Sequence, residues 1–255
     1  MKKIGIILIC ISFISGTVYF FIPKKKTKVN EQNCILSIVQ TGPKKEALKT
    51  MYLSQLLELS IDKPTQFSNL KTKQAQEKLL KSPLIKSVIV KKQKPNSIYI
   101  DYTLREPIAW LCDYENVAID ENGYLFPVSP FLSPKKLPSL YLGIDGFGEK
   151  KEDNKRYISW DMYLQDEHYN LAIDVFNIIT QPEIKNTFKL KRIDVSRAFC
   201  QSYGKREIIL TIEEEMVIKT KERSVLCVFP KILRLNAKDY AQQLGNYLVL
   251  RRKIL

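Results

Sequence analysis

The longest uninterrupted apolar run comes first. Ile4 to Ile22 reads IGIILICISFISGTVYFFI, 19 residues without a charge. As a helix rising about 1.5 Å per residue it spans nearly the ~30 Å hydrocarbon core of a bilayer. Lysines bracket it, and Tyr19, Phe20 and Phe21 suit the interfacial belt. It exceeds the ~7–15 residues of a signal-peptide core. No small-x-small cleavage pattern follows it, and Ile9 occupies the position before Cys10 where a lipoprotein site needs a small residue. The expectation is one transmembrane helix over 4–22, with a cytoplasmic tail over 1–3 and a polar tether over 23–33.

Beyond the tether the pattern changes to short periodic segments. Cys34 to Gln40 reads as a strand that Thr41-Gly42-Pro43 ends. Met51 to Leu59 sets Leu53, Leu56 and Leu57 on one helical face. Ser68 and Asn69 are cap candidates for a second helix through Leu80, with Leu70, Ala75, Leu79 and Leu80 inward and Pro83 ending it. Ser87 to Lys92 alternates with Val88 and Val90 on one side, and Pro95-Asn96 turns the chain. Ser97 to Leu104 alternates again, with Ile98, Ile100 and Tyr102 on one face. The order strand, helix, helix, strand, strand predicts two helices on one face of a small sheet.

From residue 107 the signals are mostly β. Candidate strands are Ile108–Asp113, Val117–Asp120, Tyr124–Val128, Arg192–Ser196, Glu207–Ile212, Met216–Thr220, Val225–Phe229 and Ile232–Leu235. Leu171 to Thr180 reads as a helix with Ile173, Phe176 and Ile179 clustered, and Lys238 to Leu250 as a last helix. Lys135 to Arg156 reads as a polar, glycine-containing loop, and Glu213-Glu214-Glu215 as a hairpin turn facing water. The fold class is α+β: a transmembrane helix, a first domain over 34–106, and a β-rich domain with flanking helices over 107–255.

Composition supports a folded bulk, with 45% hydrophobic residues and 26 aromatics (2 Trp, 13 Tyr, 11 Phe). The net charge of +14 includes six lysines among the first 30 residues, which hold no acid. The remaining excess of eight fits a solvated surface, an acidic partner or anionic lipid. No Arg-rich helix, zinc motif or RNA-binding aromatic motif points to nucleic acid. None of the five cysteines forms a Cys-x-x-Cys pair. Cys34, Cys112, Cys200 and Cys227 fit either two bridges in an oxidising compartment or four separate thiols.

Catalytic patterns are missing. The single histidine, His168, lies within Gln165-Asp166-Glu167-His168, a polar stretch, and Asp161, Asp166 and Glu167 define no ligand set. Gly-x-Ser-x-Gly, Ser-x-x-Lys and the P-loop pattern do not occur. Gly143 to Gly148 is glycine-rich without a strand–helix context and reads as a flexible loop. No catalytic, cofactor or metal site is expected, which leaves binding. An open sheet edge can accept a partner's strand by backbone pairing.

The order of motifs resembles the FtsQ/DivIB family of bacterial division proteins and its POTRA domain. The matching residues are Pro83, Val88, Val90, Pro95, Ile98, Ile100, Arg105, Pro107 and Ala109, then Asp120, Gly123 and Phe126. Leu137-Pro138, Ile193-Asp194 and the run Arg206-Glu207-Ile208-Ile209-Leu210 follow in the family's order. Leu104 stands where the family usually has a glutamate, and the chain closes on Arg251-Arg252-Lys253-Ile254-Leu255 where the family continues with an Asp-Leu-Arg strand. The resemblance implies a non-enzymatic scaffold of the division complex, anchored in the inner membrane with its bulk outside the cytoplasm. It implies FtsB/DivIC-like and FtsL-like partners and a docking end that is shortened here.

The resemblance, not the lysine count, sets that direction. Four lysines follow the apolar run and two precede it, which by the positive-inside rule favours the opposite topology. The resemblance also gives Val90, Lys92 and Arg206 as protein-binding candidates. The plain alternatives are core packing for Val90 and solvation for Arg206. An envelope assembly or secretion factor with a POTRA domain, and an anchored envelope hydrolase, are the rival functions.

Overall fold

In a computed structural model, residues 33–43, 45–144, 149–152, 155–158, 160, 163–219 and 223–254 are described. The expected span over 4–22 lies outside them. Among the described residues no helix is long and apolar enough to cross a membrane.

The first unit follows the expected order: β1 (Ser37–Thr41), α1 (Thr50–Leu56), α2 (Thr72–Leu80), β2 (Ile85–Gln93) and β3 (Ser97–Leu104). The sheet order is β1-β3-β2, with β1 parallel and β2 antiparallel to β3. Alternation along β3 buries Ile98, Ile100 and Tyr102 beneath the helices, against Leu53, Leu57, Ala75 and Leu79. Tyr102 also hydrogen-bonds: its hydroxyl donates to Gln40 Oε1 at 3.1 Å and accepts from the Leu48 N–H at 2.7 Å. Gly42 is required beneath that ring, because a Cβ there would sit 2.6 Å from Tyr102 Cζ.

Two local expectations fail. α2 is preceded by Lys71, which makes no side-chain cap, so neither Ser68 nor Asn69 caps it. Leu80 is 48% exposed, because Ala75 and Leu79 already fill the inward stripe and Leu80 lies round the helix from them.

The second unit is a seven-stranded sheet of order β12-β11-β10-β7-β4-β5-β6. Its strands are β4 (Ala109–Leu111), β5 (Val117–Ile119), β6 (Leu125–Pro127), β7 (Ser139–Tyr141), β10 (Lys189–Asp194), β11 (Glu207–Lys219) and β12 (Ser224–Asn236). A separate hairpin joins β8 (Glu149–Glu152) to β9 (Lys155–Ile158). The helices are α3 (Glu167–Ile179), α4 (Pro182–Lys185) and α5 (Tyr240–Ile254).

The stretch read as a polar loop, 135–156, therefore contains a central strand. β7 pairs in parallel with both β4 and β10, and Leu140 is fully buried. Three residues between prolines and a polar loop are too few to show a period, and only their neighbours make them a strand. The glycine-rich segment that follows begins pinned. Asp113 accepts from the N–H groups of Leu142, Gly143 and Ile144 at 2.7–3.0 Å. Residues 145–148 lie outside the described set. α3 buries Tyr169, Ala172, Val175 and Ile179, whereas the expected Ile173 and Phe176 are half-buried beside that stripe.

The β4–β5–β6 end of this sheet serves two cores. Val117, Ile119 and Leu125 face α3, while Ala118 and Phe126, one residue out of phase, pack with Val128 and Leu132 into the core of the first unit. Arg105 ties the junction. Its guanidinium donates to Asp120 Oδ2 at 2.9 Å and to the Pro83 carbonyl at 3.1 Å, and it lies 3.7 Å from the Tyr124 ring centre. Asp120 Oδ1 also accepts from the Asn122 and Tyr124 N–H groups. Gly123 takes φ +82°, and a Cβ there would lie 2.9 Å from the Leu164 carbonyl oxygen. That explains the Asp-x-x-Gly spacing physically.

Candidate interaction edge

β11 and β12 form one hairpin of two 13-residue strands in continuous register, from Glu207 opposite Asn236 to Lys219 opposite Ser224. The expected break at Glu213-Glu214-Glu215 does not occur. These glutamates are mid-strand, and the chain turns after Lys219. Even positions from Ile208 to Ile218 carry one face of β11: Ile208, Leu210, Ile212, Glu214, Met216, Ile218. Glu214 thus falls on the buried face, 1% exposed, while Glu215 points out.

A buried carboxylate needs donors around it. Lys231, two pairs along β12, donates to Oε2 at 2.7 Å; Tyr247 and Arg251, one helical turn apart on α5, donate to Oε1 at 2.5 and 3.1 Å. Burial pushes the Glu214 pKa up, but the hydrogen bonds from Lys231 and Tyr247 and the charges of Lys231 and Arg251 outweigh it. The carboxyl is held below the usual glutamate value. Burial, then the neighbouring Glu214, pushes the Tyr247 hydroxyl the other way, well above the ordinary tyrosine value. This cluster fastens α5 to the inner face of the hairpin, next to the buried Leu244 and Leu235.

Among the described residues β12 is an end strand of the sheet, so half of its backbone groups have no sheet partner there. Which half follows from parity. The N–H of Ala237 donates to the Arg206 carbonyl, so odd positions of β12 turn toward β11. The N–H of Asn236 turns away, to Gln243 Oε1 on α5. Pro230 is even and has no N–H to lose from the ladder. The outward groups therefore belong to Ser224, Leu226, Val228, Ile232 and Arg234, with a carbonyl alone at Pro230. Leu226, Val228 and Ile232 are also 59%, 49% and 67% exposed, and Val217 beside Leu226 is 60% exposed. A strand roughly 40 Å long thus offers backbone groups and apolar side chains on its open edge.

The sequence-derived candidates occupy two separate places. Val90 is 4% exposed, paired with Ile100 in the first core. Lys92 is exposed on the same edge strand, β2; its Nζ donates to the Ser68 carbonyl at 3.2 Å and lies 5.3 Å from the Phe67 ring centre. Arg206 precedes β11, donates to the Cys200 carbonyl at 2.7 Å and covers the Tyr203 ring at 4.1 Å. It is engaged in holding the 200–206 loop. The residues that sequence reading did not single out are those of the β12 edge. Their signal was present, as two short apolar candidate strands separated by Pro230-Lys231.

His168 starts α3. Asp166 caps that helix by accepting from the His168 N–H at 2.8 Å and lies 2.9 Å from Nδ1, while the ring meets Phe199 edge-on at 4.8 Å. The pair explains a helix start. No disulfide joins any two of Cys34, Cys112, Cys200 and Cys227.

A βααββ unit with a three-stranded sheet, fused to a seven-stranded sheet whose end strand β12 pairs with β11 on one side, defines an α+β protein. Residues 51–102, from α1 into β3, match the family model of the POTRA domain, FtsQ-type. That stretch is similar to an FtsQ-type POTRA domain, and such a domain fits a division-related scaffold. No curated protein matches the chain in direct comparison.

Proposed function

We propose that the protein is a non-enzymatic scaffold of the bacterial division complex. It is held in the inner membrane by Ile4–Ile22, with the bulk of the chain outside the cytoplasm. It binds division partners of the FtsB/DivIC and FtsL kind by accepting a strand on β12. The observation that carries this reading is the open β12 edge, where outward backbone groups and exposed Leu226, Val228 and Ile232 coincide. Pro230 divides that edge into a 224–228 and a 232–235 half, so a partner segment pairs on either side of one missing donor.

The test uses parity. Ile232→Pro removes a donor from the open side and leaves the β11 ladder intact; Leu233→Pro removes one from the ladder itself. Pull-down of the tagged full chain from native membranes should recover division or septal wall-synthesis proteins. Ile232→Pro and Ile232→Lys should lose them while the far-ultraviolet circular dichroism stays that of the wild type. Recovery unchanged by both Ile232 variants would exclude β12 as the docking edge.

A further inference from the structure

The charge of this chain is unevenly placed. Residues 34–106 hold 13 Lys and Arg against 6 Asp and Glu, an excess of seven. Residues 107–255 hold 22 against 20, an excess of two. The basic excess beyond the tether thus lies in the unit nearest the apolar run.

Within that unit, register brings distant segments to one end. Ser37 and Gln93 both pair with Ser97, so the entry of β1, the end of β2 and the β2–β3 turn are level. The Leu36 N–H donates to the Asn96 carbonyl at 2.9 Å, and the Ile35 N–H to the Thr65 carbonyl at 3.0 Å. The Phe67 N–H closes the set on the Asn33 carbonyl at 2.7 Å. The connection between α1 and α2 therefore lies at the same end. Here Leu36 and Ile61 are 72% and 96% exposed along a groove that Ile35, Leu59 and Pro64 also line. Lys63, Lys92 and Lys94 are exposed beside them, and Asp62 is the one acid of segments 33–37, 61–68 and 92–97.

We propose that this chain-entry end of the POTRA unit is a membrane-facing surface, in which Lys63, Lys92 and Lys94 meet anionic lipid headgroups and Leu36 and Ile61 dip into the interface. The proposal rests on the reading of Ile4–Ile22 as the anchor. Ten residues, 23–32, separate that run from Asn33 at this end, and ten residues reach at most roughly 35 Å. Lysines bind the negative surface potential over only about a Debye length, so a short tether is what puts them within range. Long flexible lysines flanking isolated apolar side chains are the composition of a surface-lying element. An acidic peptide would instead need a groove with lysines along its length. Here the groove is lined by Ile35, Leu36, Ile38, Leu59, Ile61 and Pro64 with serines and threonines among them, and the three lysines lie outside that lining.

The test is lysine footprinting of the full chain in lipid nanodiscs with an amine-acylating reagent read by mass spectrometry. In discs containing phosphatidylglycerol, labelling of Lys63, Lys92 and Lys94 should fall at least about threefold relative to phosphatidylcholine discs, and Lys238 should not change. Raising the salt to about 1 M, where the screening length is near 3 Å, should restore it. The double variant Lys63→Glu, Lys94→Glu should free Lys92 from protection. Equal labelling of the three lysines in both disc types would overturn the proposal. So would protection that arises only when membrane proteins are added, which assigns the surface to a protein. If the anchor reading fails instead, the chain will not co-elute with discs of either composition.

Discussion

Glu214 shows how one residue's position decides its chemistry. In the run Glu213-Glu214-Glu215 only the middle carboxylate is buried, because two-residue alternation turns it inward while its neighbours face out. Its folded pKa lies below the unfolded one, so below the ordinary value of 4.5 the unfolded chain binds the proton first. The stabilisation from Glu214 is complete above pH 4.5 and is lost as pH falls through the folded value. Glu214→Gln should therefore flatten the acid limb of stability, measured by urea unfolding from neutral pH downward. Glu214→Ala leaves Lys231, Arg251 and Tyr247 facing each other without their acceptor and should cost about 3 kcal/mol at neutral pH. Arg105 is the second such residue. With Arg105→Ala, Asp120 stays 2% exposed without its cation, and a loss of about 3 kcal/mol in denaturant unfolding is expected.

Among the elements, β12 and α5 act as a pair. α5 covers the inner face of the hairpin through Tyr240, Leu244, Tyr247 and Leu248, which leaves the outer face and the open edge exposed. Pro230 is the kind of residue that discourages indiscriminate edge pairing. The edge is thus guarded in its middle and open on both sides. Tyr247→Phe removes one donor from the latch and keeps the ring near Phe188. It should cost about 1 kcal/mol in stability and leave partner recovery intact. The Ile232 variants should do the reverse, so the two changes separate hairpin stability from edge chemistry. At the junction, Gly123→Ala meets both a positive φ and the Leu164 carbonyl and should destabilise by about 2 kcal/mol, read as a drop in urea midpoint.

For the whole molecule, the two hydrophobic clusters share a sheet. Phe126 comes from the second unit and is fully buried in the core of the first. Phe126→Ala should cost about 3–5 kcal/mol and lower the thermal transition of the chain as a whole. Calorimetry should show one cooperative transition in the wild type. Two separated transitions would mean that the Arg105 and Phe126 contacts do not couple the units. Coupling of this kind fixes the β12 edge relative to the POTRA unit, which carries most of the basic excess beyond the tether.

The βααββ order was legible because each of its elements carries a full period: Leu53 and Leu57 on α1, Ile98, Ile100 and Tyr102 on β3. The apolar run at 4–22 and the uneven placement of charge along the rest were likewise matters of composition. β7 was not legible, because Ser139-Leu140-Tyr141 becomes a strand only between β4 and β10. The depth of Glu214 was not legible: its run reads as a turn facing water, and only the continuous pairing of β11 with β12 turned it inward, with α5 folding back to supply Tyr247 and Arg251. The candidate edge divides the same way. The apolar pattern marks Val225–Phe229 and Ile232–Leu235 as two strands; their union across Pro230-Lys231 into one strand was decided by pairing with β11. That β12 ends the sheet, and so keeps half its backbone unpaired, was decided by strand order, which depends on contacts between residues far apart in the chain.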